Sequence, residues 1–193
     1  VGRGLSGPLI VEETDPIRVD RDMTWMLDDW RMSPDGQIVD DFGSQADAMH
    51  GGRIGNSVTI NGQIPERISV RAGERIRLRL INAANARIFA LNFGTFAPVI
   101  VALDGQPVAP HAPEGDIVLI GPAMRVDLVI DMTGKPGDAA FVTDIFYQGL
   151  EYRLVDLVYA PDRLRDTVPD WPMDLQPNPL ADPDMASAER HQI

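Results

Sequence analysis

His50, His111 and His191 are the imidazoles this chain offers for metal binding or proton transfer. Each stands alone, with no second His or Cys at ligand spacing, and His50 and His111 read as surface or interdomain hydrogen-bonding residues rather than ligands. There is no cysteine, which removes disulfides, zinc thiolates, thiol catalysis and the thiolate of a blue-copper centre together. The carboxylate pairs Asp28-Asp29 and Asp40-Asp41 have the look of acid/base dyads. Adjacent strand residues point to opposite faces, however, so both pairs are expected to be solvated turn acids. Gly51-Gly52-Arg53-Ile54-Gly55 lacks the Lys-Ser/Thr of a phosphate cradle and is followed by a strand pattern, so loop geometry accounts for it. Of the eight methionines only Met23 and Met26 stand close together, and core packing explains the set. Trp25 and Trp30 are expected to anchor a sandwich or a domain interface. No catalytic, cofactor-binding or metal-binding residue is assigned.

The elements that hold these residues are strands. Ile76, Leu78 and Leu80 alternate with Arg75, Arg77 and Arg79, a period of two that puts the apolar set in the core and the arginines on a solvated sheet face. Met23–Leu27, Val58–Ile60, Ile68–Val70, Val99–Leu103, Ile117–Ile120, Val126–Ile130, Phe141–Tyr147 and Arg153–Tyr159 carry further strand patterns. Asn61-Gly62, Ala72-Gly73, Asp104-Gly105 and Gly121-Pro122 mark turns between them. Pro8–Glu12 reads as an edge or stray strand, the polar, glycine-rich stretch 37–56 as a long loop, and Leu164 as the site of one short helix. Seven or more short strands without a βα repeat define an all-β Greek-key sandwich or barrel with extended N- and C-terminal segments.

A length of 193 residues with 44% hydrophobic composition supports one folded domain plus extended ends. The net charge of −12 repels phosphate backbones and anionic lipid, which argues against nucleic acid and membrane surfaces as partners. Lys135 is the only lysine. No run reaches the roughly 20 apolar residues of a bilayer span. Pro161, Pro169, Pro172, Pro177, Pro179 and Pro183 give the tail the character of a linker.

The order and spacing of Gly55–Gln63, Val70–Asn82, Ala84–Arg87, Val101–Val108 and Gly121–Leu128 resemble the second cupredoxin domain of bacterial laccase-like, three-domain multicopper oxidases. The likeness spans most of residues 22–160. Gly4–Val11 is similar to the close of the first domain in that family, and Ser187–Ile193 to the opening strand of the third. The resemblance implies residues 1–14 as the end of a first domain and linker, 15–160 as the middle cupredoxin-type domain, and 161–193 as a linker to a third. It implies a periplasmic or secreted bacterial parent that takes electrons singly from a phenol-like or metal-ion donor and reduces O2 to water. In the family the coppers sit in the first and third domains, so copper belongs to the parent and none is expected in this chain. The fragment is then inactive alone, with the first and third domains as its partners and strand exchange through Leu9-Ile10-Val11 a further contact. Two alternatives stand: a middle domain of a copper-free periplasmic interaction protein, and a free-standing carbohydrate- or protein-binding sandwich.

Overall fold

The computed structural model describes residues 4–179, 184 and 186–189; His191, Pro183 and most of Ser187–Ile193 lie outside them. Eleven strands run β1 (Arg21–Trp30), β2 (Ser57–Ile60), β3 (Arg67–Val70), β4 (Arg75–Asn82), β5 (Phe89–Asn92), β6 (Val99–Leu103), β7 (Gln106–His111), β8 (Ile117–Ile120), β9 (Arg125–Asp131), β10 (Ala139–Asp144) and β11 (Tyr152–Tyr159). They form a six-stranded sheet in the order β2-β1-β4-β9-β6-β7 and a five-stranded sheet in the order β3-β11-β10-β5-β8. The β1–β4 and β3–β11 pairs are parallel and the rest antiparallel. Successive strands often switch sheets, which makes this a Greek-key sandwich.

Alternation along the strands builds the core. From the larger sheet Trp25, Leu27, Ile76, Leu78, Leu80, Val126, Leu128 and Ile130 point inward, and from the smaller Phe89, Leu91, Val118, Ile120, Val142 and Leu154 meet them. The expected turns form: Asp104 and Gly105, with φ of 49° and 79°, close the β6–β7 hairpin, and Asn61 and Gly62, with φ of 53° and 78°, make a tight turn bridged by Ile60 and Gln63 from which the chain crosses to the other sheet. Two successive left-handed residues match the twist of the strands they join.

Several expectations are corrected. β5 and β7 carry no signal distinct enough to separate them from loop; β7 contains two prolines, which suit its place at a sheet edge. The 37–56 stretch contains a short helix, α1 (Gln45–Met49), whose first turn is capped by the Ser44 side chain accepting from the Asp47 N–H. No helix forms near Leu164. Its N–H, like that of Arg165, donates to the Ala72 carbonyl and ties the tail to the β3–β4 turn. Pro8–Glu12 is not a strand of either sheet.

Candidate functional site

The outer face of the six-stranded sheet concentrates charge. Period-two alternation sends Arg75, Arg77 and Arg79 of β4 outward, and the register sets Arg77 beside Asp22 on β1 and beside Val129 on β9, with Asp127 and Asp131 flanking the latter. The solvated face expected for these arginines is not what forms. Arg77 is 2% exposed, the same as its core-facing neighbour Leu78. The reason is a second layer over the sheet. Arg77 donates to Asp127 Oδ2 at 2.7 Å and, through both terminal nitrogens, to Glu13 at 2.7 and 2.6 Å. Arg79 donates to Asp22 at 2.8 Å, and Arg75 makes a two-pronged contact with Asp131 at 2.7 and 2.8 Å.

The two ends of the chain supply that layer. Residues 4–13 cross the sheet as an arm ending at Glu13, whose hydrogen bonds from Arg77 hold its carboxyl below the ordinary value despite partial burial. The tail returns to the same face: Arg75 donates to the carbonyls of Trp171 and Pro169, and Arg18 and Arg165 lie 4.0 and 5.1 Å from the Trp171 ring. Arg165 also clamps Asp20. Arm, tail and sheet together line a groove of about 380 Å³ that includes Ile10, Ile81, Pro107, Arg125 and Leu175. Leu9 and Val11 stand at its rim, 87% and 78% exposed.

A second cluster closes one end of the sandwich. Asp28 and Asp29 are not turn acids; they lie in β1, with Asp28 buried and the Asp29 side chain buried beside the 53–56 segment and the β4–β5 connection. The Asp29 side chain, 1% exposed, pairs with Arg87 at 3.1 Å and accepts from the Gly55 N–H. Gly55 is dictated by contact: a Cβ there would stand 2.5 Å from the Trp30 backbone, so the glycine-rich run is loop geometry as expected. Arg87 also donates to the Gly55 carbonyl, and Tyr152 donates to Asp144 at 3.0 Å. Burial, and then the Asp144 charge, push the Tyr152 hydroxyl far up, which keeps it a neutral donor and no base. Above this polar floor opens a cleft of about 720 Å³ walled by Val58, Ile64, Pro65, Tyr147, Leu150 and Leu154. Asp41 of the second acidic pair is likewise committed, to Arg31 and Arg53.

Asp28 carries the opposite imbalance. Burial raises its carboxyl above the ordinary value, against a hydrogen bond from the Asp29 N–H. A raised folded-state pKa means that the protonated form favours the native state, with stability lost as pH climbs through that value. Asp28→Asn keeps an acceptor for the Asp29 N–H and removes the buried charge. Its thermal midpoint at pH 7 is therefore expected to exceed that of the parent chain, with the gap narrowing in mild acid. A lower midpoint at pH 7 would count against this reading.

His50 and His111 lie apart from both clusters. His50 and His111 are exposed, and their Nδ1 atoms sit 3.1 Å from the Ala46 carbonyl and 2.8 Å from the Ala109 carbonyl. Among the described residues no three His, Cys, Asp or Glu side chains are placed to hold a metal ion. A blue-copper centre takes two imidazoles and a thiolate; with no cysteine in the chain and His50 and His111 far apart in sequence, the residues present do not fit one. Trp25 is a core residue, as expected, and Trp30 donates to the Thr59 hydroxyl and covers Gly4 of the arm. What sequence reasoning missed is the pairing of Arg77 with Glu13 and of Arg87 with Asp29, partners 64 and 58 residues apart.

The two mixed sheets define a β-sandwich of the cupredoxin type. The family model described as multicopper oxidase matches residues 21–156, and the chain belongs to the multicopper oxidase family. It superposes on multi-copper oxidases from Pseudomonas thermotolerans and Pseudomonas parafulva, each with a TM-score of 0.84 over 97% of this chain and 44% of theirs, at 31% and 34% identity. Among curated proteins it is 30% identical over 159 residues to the multicopper oxidase MmcO of Mycobacterium tuberculosis, covering 68% of this chain. It is 28% identical over 149 residues to the cell division protein FtsP of Edwardsiella tarda, covering 73%. In each of these two relatives the match takes in 31% of the length.

Proposed function

We propose that residues 15–160 are the copper-free middle domain of a three-domain multicopper oxidase, with 1–14 closing the first domain and 161–193 leading to the third. The observation that carries this reading is a contrast: the chain follows oxidase structures along 97% of its length, yet it has no cysteine and no paired imidazoles. A domain of this make-up orients its neighbours. Its outer sheet face is already layered by the two segments that would connect to them, and its apolar cleft offers a wall rather than a free base or nucleophile. In this proposal the parent couples one-electron oxidation of a phenol-like or metal-ion donor to four-electron reduction of O2, in the periplasm or outside the cell. No helix among the described residues is long and apolar enough to cross a membrane.

A second reading is favoured by the similarity to FtsP, a relative named for cell division rather than oxidation: the parent keeps the three sandwiches and acts as an interaction protein without copper. The flanking sequence of the full open reading frame separates the two. His-x-His pairs ahead of residue 1 and a His-Cys-His run beyond residue 193 are expected for the oxidase; their absence from both flanks would transfer the assignment to the interaction protein.

A further inference from the structure

Among the described residues, the hydrogen bonds that join the arm to the sheet come from one side chain, Glu13, which receives both terminal nitrogens of Arg77. Gly4 of the arm also lies against the Trp30 ring. Between these points Pro8–Glu12 belongs to neither sheet, and Leu9 and Val11 stand in solvent.

The charges around Glu13 do not balance. Arg77 and Arg79 of β4 face three carboxylates: Glu13 of the arm, Asp22 of β1 and Asp127 of β9. Glu12 and Arg125 line the same groove, and Arg125 is paired with Asp104. Within the sheet, Asp127 contacts both Arg77 and Arg79, at 2.7 and 3.4 Å, and Asp22 holds Arg79 at 2.8 Å, while Glu13 reaches Arg79 only at 3.9 Å. Each guanidinium thus keeps a sheet carboxylate when Glu13 is neutral, and the cluster passes from one surplus negative charge to none. The sheet does not need Glu13; the arm does.

We propose that Glu13 is a latch: its contact with Arg77 straps the arm across the sheet, and its loss frees the arm and opens the groove beneath while the sandwich stays folded. The latch responds to acid, because Glu13 lies below the ordinary carboxylate value when folded. That contribution is complete above the unfolded-state value and disappears as pH falls through the folded one.

The test is limited proteolysis of the full chain with thermolysin at neutral pH, since that protease cuts beside exposed aliphatic residues such as Leu9, Ile10 and Val11. Glu13→Gln is expected to speed cutting between residues 8 and 11 by about tenfold, as for loss of one charge-assisted two-pronged contact, with little change in melting temperature. Glu12→Gln, the neighbouring control, should cut at the parent rate. Hydrogen exchange, corrected for its intrinsic pH dependence, should show protection at 9–13 falling on acidification in the parent chain and already low in Glu13→Gln. Unchanged cutting in Glu13→Gln, or arm and β4–β9 opening together with a matching drop in melting temperature, would overturn the proposal.

Discussion

Arg77→Ala is expected to lower the unfolding free energy by about 3 kcal/mol, the low end for removing one partner of a buried ion pair. The guanidinium is as buried as a core leucine and holds carboxylates from β9 and from the arm. Without it Asp127, itself 9% exposed, keeps only the longer 3.4 Å contact with Arg79, while Glu13 swings out to water. The low end therefore applies, because one stranded carboxylate retains a partner and the other is resolvated. Denaturant melts with an unchanged m-value measure the effect. A loss within a few tenths of a kcal/mol would mean that the arginine face is solvated after all.

Leu78→Ala, one residue along the same strand, is expected to cost about 2–5 kcal/mol through lost apolar burial and the cavity left behind. Leu78 is 2% exposed and lies opposite Leu128 of β9 and beside Met23 of β1, three side chains on the core face of one sheet. The two substitutions should thus be of similar size despite opposite chemistry. A negligible loss at Leu78 would place it on the outer face and invert the register of β4.

The comparison of these neighbours shows what was legible in the sequence. Period-two alternation assigned Leu78 to the core correctly and also said that Arg77 points the other way. It carried no information on what covers that other way. The cover comes from Glu13 and from the carbonyls of Pro169 and Trp171, pieces of chain 64 to 96 residues distant from their arginines. The Asp28-Asp29 pair fails for the same reason. Adjacent strand acids do point apart, but neither side is solvated: the Asp29 side chain is buried against Arg87 and Gly55, and Asp28 is buried as well. Local chemistry with a single solution read well: Asn61-Gly62 and Asp104-Gly105 form tight turns because these turns demand left-handed backbone, which the residues tolerate. The short helix at 45–49 was hidden because it makes one turn and buries none of its residues, leaving no apolar period to detect.

The absence of cysteine and the isolation of His50 and His111 tie the fold to its proposed role, because they separate this sandwich from copper-holding cupredoxins chemically rather than topologically. Copper stoichiometry of the chain itself tests that most directly. After loading with copper and desalting, elemental analysis is expected to find well under one equivalent per chain, with no blue absorption band. One retained equivalent with a blue band or a well-defined copper electron-resonance spectrum would contradict the assignment of a copper-free middle domain.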